Sequence, residues 1–332
     1  MNTAPTTDAV SSTTAAPAAK RKGRSIPELA ALMVVLIALI VYFSISSPVF
    51  LHSENLLNIL TAIAVTGIIA IPATMLLVSA QVDLSVGSGA AFAGVVLAAV
   101  GNQYPIFLGV IAALMAGLIV GAINGYLVSY IGVNSLITTL GTLAVFRGLT
   151  QLTADGQTIL FSDFGALGTA RPLLNIPLPV LIFVAIVIIG AIVMRNTVFG
   201  RQLYAIGANP VAARLVGIKS RRTLFLTFLF SGFAMALAGM ILTSQLSAAS
   251  PISATGLELT VVTAVVLGGA SLSGGQGTIG GTAIGLLILG VLNNGLVLNN
   301  VSSFWQDVAR GTLLIAAVSF DQIRRRMRST RA

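Results

Sequence analysis

The stretch LSVGSGAAFAGVVLAAVGNQYPIFLGVIAALMAGLIVGAINGYLVSYIGVNSLITTLGTLAVF, from Leu84 to Phe146, contains no Asp, Glu, Lys, Arg or His. A membrane-spanning helix needs about 20 mainly apolar residues, so this block alone has room for three. Further uncharged blocks run from Pro172 to Met194, from Thr223 to Leu257 and from Leu259 to Gln306. Of the 332 residues, 56% are hydrophobic and only 8% charged, whereas a soluble domain carries roughly 25% charged residues. So little charge cannot cover a water-facing surface. The expected fold class is therefore all-α, a polytopic membrane protein of about ten transmembrane helices.

Residues 1–27 begin as a Thr/Ala/Ser/Pro-rich tail that cannot bury a core and is expected to be a disordered cytoplasmic segment. Lys20, Arg21, Lys22 and Arg24 close it, before an apolar run from Leu29 to Ile45. That run is too long for a signal-peptide core and lacks a small-residue cleavage site, so it reads as an uncleaved first helix. Nine more spans follow at about 55–79, 86–101, 106–130, 135–153, 178–195, 223–246, 258–270, 278–298 and 304–320. The short one at 258–270 and the one containing Pro72 are the two expected to be broken or re-entrant.

Charge placement tests the count. Fifteen of the 18 Lys and Arg residues fall in 20–24, 195–222 and 324–331. The positive-inside rule puts all three segments in the cytoplasm, so an even number of spans must separate them. Six spans lie between the first pair and four between the second, so both termini are expected to be cytoplasmic. The transmembrane domain is then 28–320, with an inward loop at 195–222, an outward loop at 154–176, and a basic cytoplasmic tail at 321–332. The net charge of +9 reads as orientation signals with some attraction to anionic membrane lipid, not as a nucleic-acid surface.

Several chemistries lack their residues. Cysteine is absent, which removes disulfides, thiolate metal sites and thiol nucleophiles. No HExxH, GxSxG or clustered carboxylates occur, and the sole histidine, His52, falls at the first outward boundary. No cofactor, metal site or catalytic residue is expected. Leu272-Ser273-Gly274-Gly275-Gln276 spells the LSGGQ string of ATPase domains, but the three lysines, Lys20, Lys22 and Lys219, sit in no GxxxxGK[ST] loop. The string reads as a turn between two spans. ATP hydrolysis would need another protein.

Glycines at helix-contact spacing, Gly117/Gly121/Gly125 and Gly281/Gly285, point to close helix packing within the bundle or across a homodimer. In the inward loop, Asn209 and Pro210 form a helix start and Gly217 a stop. The short helix between them carries Ala213 and an exposed Arg214. It suits docking into a groove of another protein, or serves as a linker or lipid-surface helix. Polar groups within or beside the apolar runs are the remaining candidates: Asp83, Ser85, Asn124, Asn134, Arg147, Gln245, Glu258, Asn293, Asn294, Asp307 and Arg310. Such groups face a cavity or a partner when they sit in a membrane. Asparagines there also hold helices together, and Asp307 and Arg310 are spaced to neutralise each other.

Gln81 to Ser88 (QVDLSVGS) resembles the xVDLSVGS motif of ribose-type ABC sugar permeases. So do Asn124-Gly125, Thr142 to Leu149 and Asp155-Gly156-Gln157. The resemblance is closest from Leu203 to Gly217 (LYAIGANPVAARLVG), in Ala264 to Leu272, in Gly280 to Thr282 and in Leu289 to Leu296. These motifs keep family order over all but the N-terminal tail. The resemblance implies a homodimeric permease of the bacterial inner membrane that imports a monosaccharide. Its partners would be an extracytoplasmic sugar-binding protein and a separate cytoplasmic ABC ATPase. It also implies that Asn209, Pro210, Ala213, Arg214 and Gly217 form the coupling helix. The substrate pathway is expected to draw on Asp83, Ser85, Asn124, Asn134, Arg147, Asn293 and Asn294. Rival readings are an ion-coupled secondary transporter using Asp83 or Glu258, an ABC permease for branched-chain amino acids, and a membrane scaffold.

Overall fold

The structure, a computed structural model, describes residues 28–329, so the expected N-terminal tail lies outside the described residues. In order, the elements are α1 (Glu28–Ser46), α2 (Ser53–Val78), α3 (Val86–Gly101), α4 (Ile106–Tyr126), a π-helical turn (Leu127–Ile131), α5 (Ser135–Thr153), β1 (Ile159–Leu160), α6 (Ala166–Thr169) and α7 (Leu178–Asn196). They continue as α8 (Val198–Ala208), α9 (Pro210–Leu215), α10 (Ser220–Leu246), β2 (Ala248–Ala249), α11 (Leu257–Leu267), α12 (Ile279–Leu298) and α13 (Ser303–Ser329). Each of the ten expected spans corresponds to a helix. Among the described residues, α1, α2, α4 with its π-turn, α7, α10 and α12 are long and apolar enough to cross a membrane. The other four depart from that standard. α3 and α11 rise only about 24 and 17 Å at 1.5 Å per residue, short of the ~30 Å apolar core. α5 and α13 are interrupted by polar side chains, and α13 continues to Ser329, past the expected start of the basic tail at 321.

The α2 helix corrects one expectation: it runs unbroken through Pro72. A proline removes one helical hydrogen bond, but neighbouring helices can hold the segment straight in a bundle. Here α2 is the central helix, packed against α7, α10, α11 and α12 and buried along most of its length. Ile68 and Ile69 of α2, Met235 of α10 and Val261 of α11 form the middle of the main apolar core.

The glycine spacing works inside the chain. Gly117 and Gly121 of α4 pack directly on the backbone of α10 at Gly232, where any side chain would collide. Gly281 and Gly285 of α12 meet Gly268 and Ala264 of α11 in the same way. Small residues allow this approach, and van der Waals contact holds helices together in lipid.

Loops alternate between the two ends of the bundle. Residues 79–81, 128–135, 206–208, 218–222 and 273, with Pro210 and Arg214, surround one cavity at the end that carries the basic segment 195–222. At the far end β1 pairs antiparallel with β2, Asn102 donates to the Leu160 carbonyl, and Asn299 donates to Ser46 Oγ.

Candidate functional site

Three polar regions lie along the bundle. The deepest is built by the segment between α2 and α3. Asp83 is only 4% exposed, and its Oδ1 accepts from the Ser85 backbone N–H at 3.0 Å and from Ser85 Oγ at 2.7 Å. Ser231 Oγ of α10 donates to Oδ2 at 2.8 Å. Asn124 of α4 donates to Ser85 Oγ at 2.8 Å and accepts from Thr142 Oγ1 of α5 at 2.7 Å. Five side chains from three helices and a loop thus satisfy one another. A buried carboxylate is costly unless hydrogen-bonded, and this one is. Asp83, Ser85 and Asn124, three of the pathway candidates, are brought together here, and none of them lines the cavities described next.

The far-end cavity, about 430 Å³, lies between α2, α11, α12 and α13. Its polar groups include Asn58, Thr66, Thr255, Thr260, Asn293, Asn294 and Gln306, with Arg310 on its wall. Asn294 is partly committed: it exchanges hydrogen bonds of 2.9 and 3.0 Å with Asn55 of α2. Asn293 is exposed to the cavity. Arg310 pairs with Asp307 at 3.2 Å, the mutual neutralisation that their spacing suggested.

Beside this cavity the chain from Pro251 to Gly256 leads into α11. Arg147 of α5 donates to the carbonyls of Pro251 and Ser253 at 2.8 and 2.9 Å, tying that segment to the bundle. The first turn of α11 then meets the first turn of α3: a Cβ on Gly87 would collide with the Glu258 carboxylate and the Ala254 carbonyl. Two short helices therefore start beside each other inside the bundle. Broken or half-length helices of this kind occur in transporters where a polar path crosses the membrane.

The third region is the basic end. α8 was not legible as a helix in sequence, although Thr197 accepts from the Gly200 N–H at its start. Tyr204 of α8 donates to the Gly277 carbonyl at 2.7 Å, and burial pushes its phenol pKa up, so it stays a donor. The LSGGQ string is a turn: Gly274 and Gly275 have φ of 81° and 74°, values that side chains disfavour. The Gly275 N–H reaches the Val78 carbonyl at 2.7 Å, tying the turn to α2.

α9 has the start and stop that its residues imply. Asn209 Oδ1 accepts from Val211 N–H and Ala212 N–H, both at 3.0 Å, and Pro210 opens the helix. At the other end Ile218 N–H reaches the Ala213 carbonyl and Gly217 N–H the Arg214 carbonyl, each at 3.0 Å, with Gly217 at φ 83°. That pair of bonds is a Schellman stop. Ala213 is buried against the bundle, while Val211, Arg214, Leu215 and Val216 face outward, Leu215 at 83% exposure. A capped helix with an exposed apolar face suits docking into a groove of another protein. Asn134 caps α5 in the same manner, accepting from Leu136 and Ile137, and lines the basic-end cavity. Sequence reasoning missed Asn55, Ser231 and Thr142 as partners, because each bond joins residues far apart in the chain or buried hydroxyls that are common in helices.

Over residues 55–318 the chain matches the family described as "Branched-chain amino acid transport system / permease component". It is 40% identical over 295 residues to the ribose import permease protein RbsC of Haemophilus influenzae, covering 87% of this chain and 91% of that protein. The L-arabinose transport system permease protein AraH of Escherichia coli is 38% identical over 302 residues, covering 90% and 92%. The ribose import permease protein of Bacillus subtilis is 42% identical over 295 residues, covering 86% and 90%. No solved structure matches the chain.

Proposed function

The chain belongs to this family of ABC-transporter permease components, and we propose that it is the membrane-spanning subunit of an importer for a pentose or closely related monosaccharide. The observation that carries the cargo class is the agreement of ribose and arabinose permeases along about nine-tenths of the chain. The far-end cavity supports it, because amides and hydroxyls without an unpaired acid suit a neutral polyhydroxyl ligand. The chain itself is not an enzyme; its relatives are transport permeases, and hydrolysis belongs to a separate ATPase. The branched-chain amino acid reading rests on the family description.

In this reading α9 docks on the cytoplasmic ATPase, and a binding protein delivers sugar at the far end, where the loop 154–176 lies. A second copy completes the transporter, with all basic segments in the cytoplasm of a bacterial inner membrane. ATP binding must favour one access state over the other, since a partner with equal affinity for both shifts nothing. The buried pairing of Asp83 opposes only its half of the ion-coupled alternative, since that carboxylate would have to reach water; Glu258, the other carboxylate of that alternative, has its Oε2 buried without a partner.

Uptake of labelled ribose, arabinose and xylose into proteoliposomes tests the proposal. Uptake of one sugar only with ATPase, binding protein and ATP together is the expected result. Uptake by the chain alone under a proton or sodium gradient overturns it. Leu215→Asp should abolish ATP-driven uptake while the chain still purifies with unchanged melting.

A further inference from the structure

Glu258 is a carboxylate that the transport reading does not use. It stands in the first turn of α11, and its Oε2 is buried without a hydrogen-bond partner. Leaving a carboxylate oxygen unpaired in such a place is costly. A carboxylate kept for packing would be bonded, as Asp83 is. One kept for cargo would face the far-end cavity, and Glu258 does not line it.

Beside it lies a cation with donors to spare. Glu258 Oε2 and the Ala254 carbonyl both crowd the point where a side chain on Gly87 would begin. One residue before, the Ser253 carbonyl accepts from Arg147 Nη1, as does that of Pro251. Both bonds leave from that one nitrogen, and among the described residues Nη2 and Nε make none. The Glu258 charge acts on the guanidinium, yet the one ion pair among the described residues is Asp307 with Arg310. A guanidinium bonds a carboxylate more strongly than a neutral carbonyl. Arg147 therefore has two competing sets of acceptors: the carbonyls it holds in this structure, and Glu258.

The segment under that competition is a wall of the far-end cavity, which Ala254, Thr255, Gly256 and Leu257 line. Ala254 in its middle has φ of 55°, a left-handed conformation unfavourable for a residue with a Cβ. The bonds from Arg147 hold the wall in this conformation, and letting go of them would relax it.

We propose that Glu258 is a positioning residue for the cavity wall: its carboxylate takes the Arg147 guanidinium when residues 251–256 are released and returns it when they close. The exchange lets the wall move without leaving the half-buried cation bare. Its place in a transport cycle rests on the reading above; the exchange itself does not.

Hydrogen–deuterium exchange tests it on the full chain in nanodiscs of phosphatidylcholine and phosphatidylglycerol, without cargo, ATPase or ATP. Glu258→Gln removes the competing acceptor, so Arg147 stays on the carbonyls and the amides of 252–256 should exchange at least ~3-fold more slowly. Arg147→Gln should speed them at least ~3-fold. The double variant should match Arg147→Gln, because Glu258 acts only through that cation. Glu258→Asp keeps the charge and should stay within ~2-fold of the wild type. Faster exchange in Glu258→Gln marks a carboxylate that merely braces α11 and overturns the proposal. No change in that variant, or a double variant unlike Arg147→Gln, overturns it as well. If the Arg147 variants do not purify folded, Glu258→Gln and Glu258→Asp carry the test. In proteoliposomes with ATPase and binding protein, Glu258→Gln should lower ATP-driven uptake at least ~10-fold with melting unchanged. Full uptake by that variant counts against the proposal, whereas a wild type that fails to transport counts against the transport reading and leaves the exchange data to decide.

Discussion

The region around Asp83 and the far-end cavity around Asn293 are made from the same kinds of residue, yet they are opposite in state. In the first, a carboxylate, an asparagine and three hydroxyls close on one another and are sealed from both cavities. In the second, amides and hydroxyls stand around open space: Asn294 pairs with Asn55, and Thr260 and Gln306 donate to the Gly256 and Val301 carbonyls, while Asn293 is left exposed to the cavity. Polarity inside a membrane protein therefore has two uses. A closed network fixes how helices pack, because any defect leaves a buried group without a partner. An open set keeps its hydrogen bonds available for a ligand. Pairing, rather than residue type, separates the two.

The comparison can be broken by substitutions that should move stability in one region and transport in the other. Asp83→Ala should have the largest effect, since Ser85, Ser231 and Asn124 lose a shared acceptor in the core. A loss of about 3 kcal/mol or more is expected, read as a fall in melting temperature and in folded yield. Asn293→Ala should leave melting unchanged and lower ATP-driven sugar uptake about tenfold, the loss of one good hydrogen bond to cargo. A drop in stability with unchanged uptake would place Asn293 with the packing residues instead. Asn294→Ala should show both effects more weakly, with about 1 kcal/mol lost because Asn55 is left behind. Asn134→Ala, which removes a cap at an exposed helix start, should cost about 0.5–1 kcal/mol with little change in uptake. Equal responses to all four substitutions would erase the distinction.

Local features were legible to the extent that their causes were local. The caps of α9, the turn at Gly274 and Gly275, and the ten helical segments each depend on residues within a few positions of one another. Pro72 misled because its local tendency to break a helix is overridden by neighbours distant in sequence. The role of Arg147 was out of reach for the same reason: its acceptors, Pro251 and Ser253, lie more than a hundred positions away. Gly87 was visible only as part of a motif. Its need to be glycine comes from the start of α11 lying against it.

By itself, the sequence determined that this is an all-α membrane protein and that it carries a capped helix between α8 and α10. Those properties follow from apolar run length and side chains acting on their own backbone. Tertiary structure alone decided which polar groups are spent on each other and which remain free. It also brought the short helices α3 and α11 together. Hydrogen bonds have short reach and fixed direction. Whether a polar residue is glue or ligand contact is settled only when distant segments arrive within about 3 Å of it.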